Sequence, residues 1–354
     1  MYNLKEFKNI FDPLLNIFVD KKMDEFLKSS KDPFIKGLGS YSKNLITGGG
    51  KRIRPYLAYL AYKSFGGRQD DKAVNFFISL ELFHNFLLIH DDVMDKSQTR
   101  HGQTTIHTHV LEKLNQNDRV GDLKHIADAQ AILIGDLLFS WSMEFFTNDT
   151  SFDLENLTMA KKCFYKTVDE VILGQIIDVD LSTRENTNWD LIEEKTRLKT
   201  SRYSFVRPMQ IGAILANKDY GNDDFFESLG TKLGVAFQIQ DDLLDIIGNP
   251  KKIKKTPLID ISEHQQTFFT NYILNNGTKY QKEYFGQVFG KVVTKGKYDK
   301  IRKLFIESGS IAAGKKIIEE NFKKAKKLIE NSKLENEYKQ KFFELIELIE
   351  KREN

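Results

Sequence analysis

The sequence predicts an all-α fold built from long helices. Prolines are scarce: there are six, at Pro13, Pro33, Pro55, Pro208, Pro250 and Pro257, and none falls within 70–100 or 122–207. Apolar residues recur at three and four, as in Phe76, Leu80, Phe83 and Leu87, which is the 3.6-residue period of a buried helix face. No segment alternates at period two with β-branched enrichment, so no sheet is expected.

Taken in order, Leu4, Phe7, Ile10, Phe11 and Leu14 predict an amphipathic first helix. Gly48, Gly49 and Gly50 mark a loop, and Pro55 suits the first turn of the helix that follows. Gly66 and Gly67 separate two further helices. Residues 102–121 are polar and read as an irregular loop, with His107 and His109 on its surface rather than as metal ligands. Residues 148–156 and 249–256 read as loops, the second with a proline and four lysines. From 315 onward, 11 basic and 9 acidic residues surround a stripe ending in Phe342, Leu345, Ile346 and Ile349, a helix with a solvated face. No stretch has the length or bias of an interdomain linker, so a single domain over 1–354 is expected.

Composition excludes several classes. Hydrophobic residues make up 40%, enough for a sizeable core, and 53 basic residues against 50 acidic argue against binding nucleic acid through bulk charge. The single cysteine, Cys163, excludes an internal disulfide and suits a reducing cytoplasm. No uncharged apolar run approaches the ~18 residues of a membrane span. The first 23 residues carry acids and no small-residue cleavage site, so neither a transmembrane segment nor a signal peptide is expected.

The chemistry is concentrated in an echo. His90-Asp91-Asp92-Val93-Met94-Asp95 recurs in kind as Gln240-Asp241-Asp242-Leu243-Leu244-Asp245, each after an apolar run. The first and last aspartates of each cluster are four apart, hence on one helix face. Carboxylates so placed repel each other and lose hydration, an arrangement best kept when cations occupy it. Their hard oxygens suit Mg²⁺, which usually takes one or two carboxylates plus phosphate oxygens. One such cluster alone reads as a solvated face; two on apolar-flanked helices point to a diphosphate held through metal ions. Lys51 and Arg54, between the glycines and Pro55, sit where exposed N–H groups and an Arg fork favour phosphate. Arg100, Lys199 and Lys255 are further candidate cations. Gly174, Gln175 and Asp178 lie on another helix, where a buried hydrogen-bonded role and direct catalysis are evenly matched.

These residues resemble the trans-isoprenyl diphosphate synthases, or polyprenyl synthetases. The resemblance rests on Gly-Gly-Lys-Arg-Ile-Arg-Pro at 49–55, His84 ahead of 91–95, Arg100, Gly135-Asp136, Gly174-Gln175 with Asp178, Lys199-Thr200, and Phe237-Gln238 before 241–245. It implies a bundle of long helices around a deep central cavity, a homodimer, and head-to-tail condensation of isopentenyl diphosphate onto an allylic diphosphate. It implies Mg²⁺ on Asp91, Asp95 and Asp241, with Asp245 assisting and Asp92 and Asp242 completing the clusters. Arg100, Lys199 and Lys255 would contact the allylic diphosphate; Lys51, Arg54 and His84 would hold that of isopentenyl diphosphate. Thr200, Gln238 and the Lys199 carbonyl would stabilise the carbocation as dipoles, and Gln175 and Phe237 would line the substrate site. An aromatic residue five before Asp91, here Phe86 with Phe83 and Leu87 nearby, implies C15–C20 products, with Leu87 favouring C20.

Three departures stand out. His101 replaces the second arginine of the usual Arg-Arg-Gly and weakens one contact to isopentenyl diphosphate. Glu263-His264-Gln265 replaces Glu-Gly-Lys and loses a lysine, while Ile253-Lys254-Lys255 replaces Thr-Gly-Lys and loses a glycine. These changes are compatible with a weakly active enzyme or one subunit of a two-component synthase; a longer-chain synthase is a further alternative. A terpene cyclase would carry Asn, Ser and Glu in its second motif. A degenerate partner subunit would lose aspartates, whereas all six are present. A di-metal carboxylate bundle would need a second Glu-x-x-His pair besides Glu81 and His84.

Overall fold

The computed structural model describes residues 1–100, 102–185, 187–217, 219, 224–248 and 257–351. It is 79% helical. The chain forms two compact units: Met1–Lys161 with Gly212–Lys218, and Lys162–Ile211 with Asp219–Asn354.

In the first unit, α1 (Leu4–Leu27) starts at a capping box. The Asn3 side chain accepts from the Glu6 N–H, and the Glu6 carboxylate accepts from the Asn3 N–H. It buries Phe7, Phe11, Leu15, Val19 and Met23, every fourth residue, against α2 (Pro33–Thr47) and other elements. α3 (Ile53–Ser64) is buried almost all round. The stripe through Phe76 and Phe83 is divided between α4 (Asp70–Phe76) and α5 (Ile78–Met94), with a break at Phe77 rather than one continuous helix. β1 (Thr99–Arg100) and β2 (Gln103–Thr104) pair antiparallel around Gly102, whose φ of +79° needs no Cβ relief. α6 (Ile106–Gln116) and α7 (Leu123–Asn148) follow, and α5 packs along α7.

The loop expected over 102–121 is therefore mostly hairpin and helix. α6 buries Ile106, Val110 and Leu114 at helical spacing, a stripe diluted by polar neighbours. His107 is buried, not on the surface, and burial pushes its pKa down. His109 stacks flat on Tyr41 with ring centroids 3.5 Å apart.

α8 (Leu154–Leu181) runs into the second unit, where α9 (Trp189–Thr196) passes without a break into a π-helix, Arg197–Val206; α10 (Arg207–Ala216) follows and belongs to the first unit from Gly212 onward. α11 (Asp224–Ile247) lies along the π-helix. A single-turn α12 (Ile259–Ser262) precedes α13 (Phe268–Asn276), α14 (Lys279–Val288), α15 (Tyr298–Glu307), α16 (Ser310–Glu330) and α17 (Asn336–Glu350). α17 buries the anticipated Phe342, Leu345, Ile346 and Ile349.

Among the described residues, two stretches, Asp70–Met94 and Leu123–Thr147, are long and apolar enough to cross a membrane by length and composition alone. In the first, 72% of the apolar window is buried inside the protein, as in a core helix; in the second, 39% is.

Candidate active site

In the first unit, the first aspartate cluster closes α5. Asp92 is buried, Asp91 is half-buried, and Asp95 is the C-cap, its N–H donating to the Asp91 carbonyl. The hairpin turns Arg100 back onto the cluster. Its Nε donates to Asp92 Oδ1 at 2.7 Å, and its Nη2 lies 3.5 Å from Asp91 Oδ2. Burial opposes the Arg100 charge, but Asp92 and Asp91 outweigh it and raise its pKa. Arg100 thus relieves the repulsion that the sequence showed among these carboxylates.

Lys51 is exposed and Arg54 half-buried at the start of α3. Of the two residues between them, Arg52 was not singled out in the sequence. Arg52 is buried at 3% exposure and takes the left-handed conformation at φ +52°, as N-cap of α3. Its Nε donates to Asp12 at 2.8 Å and its Nη1 to the buried Glu81 at 2.7 Å. Arg52 therefore ties the glycine loop to α5 one turn before His84, and Glu81 is spent on it rather than on a metal pair with His84. The only sequence signal was its place inside Lys-Arg-x-Arg.

Two of the proposed chain-length residues, Phe83 and Phe86 on α5, form an aromatic wall with Phe139 on α7. The Phe86 ring lies 5.8 Å from Phe83, 5.2 Å from Phe139 and 4.6 Å from His90. Phe83 and Phe86 are buried and Leu87 half-buried. His90 Nε2 is 3.0 Å from the Ile132 carbonyl and 3.4 Å from Asp136, in a space that a Cβ on Gly135 would fill.

In the second unit, Lys199 and Thr200 stand on the π-helix, whose wide turn is characteristic of functional sites. Two glycines let neighbouring helices press against it. A Cβ on Gly174 would lie 2.6 Å from the Lys199 backbone nitrogen, and one on Gly234 would lie 2.3 Å from Ser201 Cα. The Thr200 hydroxyl donates to Gln238 Oε1 at 2.6 Å, and Gln238 Nε2 donates to Asp242 Oδ1 at 2.8 Å. Burial, then the charge of Asp260, push the Asp242 pKa well up. Asp241 is half-buried, and Asp245 accepts the N–H groups of Ile259 and Asp260 at 3.1 and 3.3 Å. Phe237 packs edge-on to Phe205 at 5.5 Å, and Gln175 is half-buried on α8. His101 and Lys255 lie outside the described residues.

Asp178, evenly balanced between two roles in the sequence, is a buried ion-pair centre. Its Oδ2 meets Lys199 Nζ at 2.6 Å and its Oδ1 meets Lys195 Nζ at 2.8 Å. Burial alone would push its carboxyl up; the two ammonium groups outweigh that and hold it well below the usual carboxylate range. Such a depressed group contributes stability above the unfolded-state pKa of ~3.9, and the contribution is lost as pH falls through the folded value. Asp178→Asn is expected to cost about 3 kcal/mol at pH 7, because the buried Lys195 loses its carboxylate. It should also make unfolding free energy less sensitive to acidification below about pH 4. Urea titrations at several pH values check both; a variant as stable as the wild type at pH 7 would remove Asp178 from the ledger.

Among the described residues, no three His, Cys, Asp or Glu side chains form a ready-made metal cage. The donor chemistry nonetheless fits Mg²⁺, which takes few carboxylates and completes its shell with water and phosphate oxygens. Asp91 with Asp95, and Asp241, are all-oxygen donors of that kind.

Known proteins share the fold and match much of the sequence. The polyprenyl synthetase family model matches residues 36–305. A short chain isoprenyl diphosphate synthase of Methanocaldococcus jannaschii is 31% identical over 272 residues, 76% of each chain. A geranylgeranyl pyrophosphate synthase of Geoglobus acetivorans is 29% identical over 312 residues, 88% of this chain and 89% of the relative. The structure of a geranylgeranyl pyrophosphate synthase from Corynebacterium glutamicum, complexed with isoprenyl diphosphate and magnesium, superimposes with a TM-score of 0.91 at 24% identity, covering 99% of this chain and 100% of that one. The all-α isoprenoid-synthase fold defines the class. Within it, the chain belongs to the polyprenyl synthetase family. It is a trans-prenyltransferase, condensing isopentenyl diphosphate head-to-tail with an allylic diphosphate.

Proposed function

We propose that the product is a C20 prenyl diphosphate, made by one catalytic domain that uses both compact units. The family match, which runs through both units, supports the single domain. In this reading Lys51, Arg54 and His84 hold the diphosphate of isopentenyl diphosphate. Arg100, Lys199 and Lys255 hold that of the allylic substrate, and Asp91, Asp95 and Asp241 are the metal ligands, with Asp245 behind them. Bound Mg²⁺ supplies Lewis-acid neutralisation of the charge that grows on the leaving diphosphate. Breaking the allylic C–O bond leaves a carbocation, which the Thr200 hydroxyl, the Gln238 amide oxygen and the Lys199 carbonyl stabilise as fixed dipoles. The double bond of isopentenyl diphosphate attacks the cation, and the departed diphosphate accepts the proton released. The observation that carries the ionisation reading is the hydrogen-bonded run Thr200–Gln238–Asp242 beside Lys199.

The aromatic wall supports the chain length. Phe86 lies about 7.5 Å along the helix from Asp91, and Phe83 and Phe139 back it. Phe86→Ala is expected to lengthen the product by at least one isoprene unit, and Phe83→Ala to add further length. Incubating the protein with labelled isopentenyl diphosphate and each allylic primer, then sizing the products, checks this. An unchanged distribution in both variants places the floor elsewhere, and failure to make any prenyl diphosphate removes the whole reading. A cytoplasmic homodimer completes the proposal. The lone free cysteine suits the compartment, and the exposed Ile132 and Leu133 on α7 suit a second copy; light scattering of the purified chain tests the dimer.

A further inference from the structure

We propose that His90 is a positioning residue for product length: its ring fills the space beside Gly135 and holds Phe86 in place as the floor that stops the growing chain. The proposal rests on reading Phe86 as that floor. The groups concerned lie on α5 and α7, both in the first unit. Phe86 and His90 are four apart on α5 and share a face, and Ile132, Gly135, Asp136 and Phe139 stand on α7, which packs along it. The Phe86 ring is bracketed. Phe139 lies 5.2 Å from it and Phe83 5.8 Å, while His90, one turn further toward the aspartate cluster, meets it edge-on at 4.6 Å.

The His90 ring is itself tied to α7. Its Nε2 is 3.0 Å from the Ile132 carbonyl, and because a carbonyl only accepts, this nitrogen carries a proton and donates it. Asp136 Oδ1 lies 3.4 Å from the same nitrogen. The ring takes volume that a side chain on α7 would otherwise fill. A Cβ on Gly135 would lie 2.4 Å from His90 Cδ2 and 2.5 Å from its Nε2, but at an ordinary contact distance of 3.6 Å from Phe86 Cδ2. His90 is therefore a wedge in that space, and Phe86 is its neighbour. Close-packed side chains keep their rotamers because no adjacent volume is open to them. In His90→Ala the space beside Gly135 opens next to the Phe86 ring, and the ring can swing into it. The floor then drops with Phe86 itself unchanged. The wedge acts by volume rather than by charge.

The test is the product distribution of the full chain, sized from labelled isopentenyl diphosphate at saturating Mg²⁺ and matched conversion, with circular dichroism as a fold check. His90→Ala is expected to raise the ratio of longer products to the wild-type product by about tenfold, the effect of roughly one lost aromatic contact. A merely structural role lowers the amount of active enzyme and leaves that ratio where it was, so an unchanged ratio overturns the proposal. Gly135→Leu combined with His90→Ala refills the space from α7 and should bring the ratio back to within about threefold of the wild type. A double variant that makes long products as freely as His90→Ala overturns the wedge. Added to Phe86→Ala, His90→Ala should give no further length, since His90 acts through Phe86. A further isoprene unit there would make His90 a floor in its own right and end the positioning role. Phe86→Ala alone separates the two readings. If it leaves the products unchanged, Phe86 is not the floor; if it lengthens them while His90→Ala does not, only the role of His90 falls. Should His90→Ala not fold, His90→Asn, which also removes the ring, is read in its place with the same outcomes.

Discussion

Asp91→Ala is expected to lower turnover by about three orders of magnitude while leaving the helical fold intact. Asp91 stands at the end of α5, half-buried, and shares Arg100 with the buried Asp92. Its removal leaves Arg100 paired to Asp92 at 2.7 Å, so no charge is stranded and folding should survive. On the proposed assignment, what is lost is a hard oxygen ligand on the face it shares with Asp95. Asp241→Ala should behave alike, because the run Thr200–Gln238–Asp242 does not pass through Asp241. Steady-state rates across a Mg²⁺ series, with circular dichroism beside them, separate the outcomes. Near wild-type turnover in Asp91→Ala would overturn the metal assignment. A variant whose rate recovers at high Mg²⁺ would instead mark Asp91 as an affinity ligand, with the chemistry intact.

The parts of this protein legible in its sequence are those that depend on spacing along a helix. The four-residue interval within each aspartate cluster, the burial of Phe342, Leu345, Ile346 and Ile349, and the loop–helix boundary at 50–53 follow from local periodicity and from glycine. What was not legible depends on partners distant in sequence or on backbone geometry without a residue signature. The π-helix has no composition that marks it, since a wide turn is stabilised by the tight packing of Gly174 and Gly234 against it. Lys195 was not singled out in the sequence, because its ion pair with Asp178, 17 residues earlier, depends on the fold. α6 was missed because its apolar stripe is sparse among polar residues, and His107 was misassigned with it. Asp178 was left undecided because burial and pairing of a carboxylate cannot be read from its neighbours in the chain.

Arg52 carries the second large effect. It is a buried cation in the left-handed region, a conformation that costs a non-glycine residue roughly 1–2 kcal/mol. Asp12 and Glu81 hold it there from α1 and α5. Arg52→Met is expected to destabilise the protein by about 3–5 kcal/mol, because Glu81, with its side chain 5% exposed, loses its cation. The same change should raise the KM for isopentenyl diphosphate more than that for the allylic substrate, since Lys51 and Arg54 flank the displaced residue. The two effects can be separated. Combining Arg52→Met with Glu81→Gln removes the stranded charge and should restore most of the stability, yet the loop stays untied and the KM stays high. Arg52→Lys keeps one charge but lacks the fork that reaches two carboxylates, so it should fall between the single variant and the wild type on both measures. Urea unfolding and initial rates with each substrate varied in turn provide the readouts. If Arg52→Met left the KM for isopentenyl diphosphate unchanged, Arg52 would be an anchor of the fold alone, and the presentation of Lys51 and Arg54 would have to come from the glycines before them.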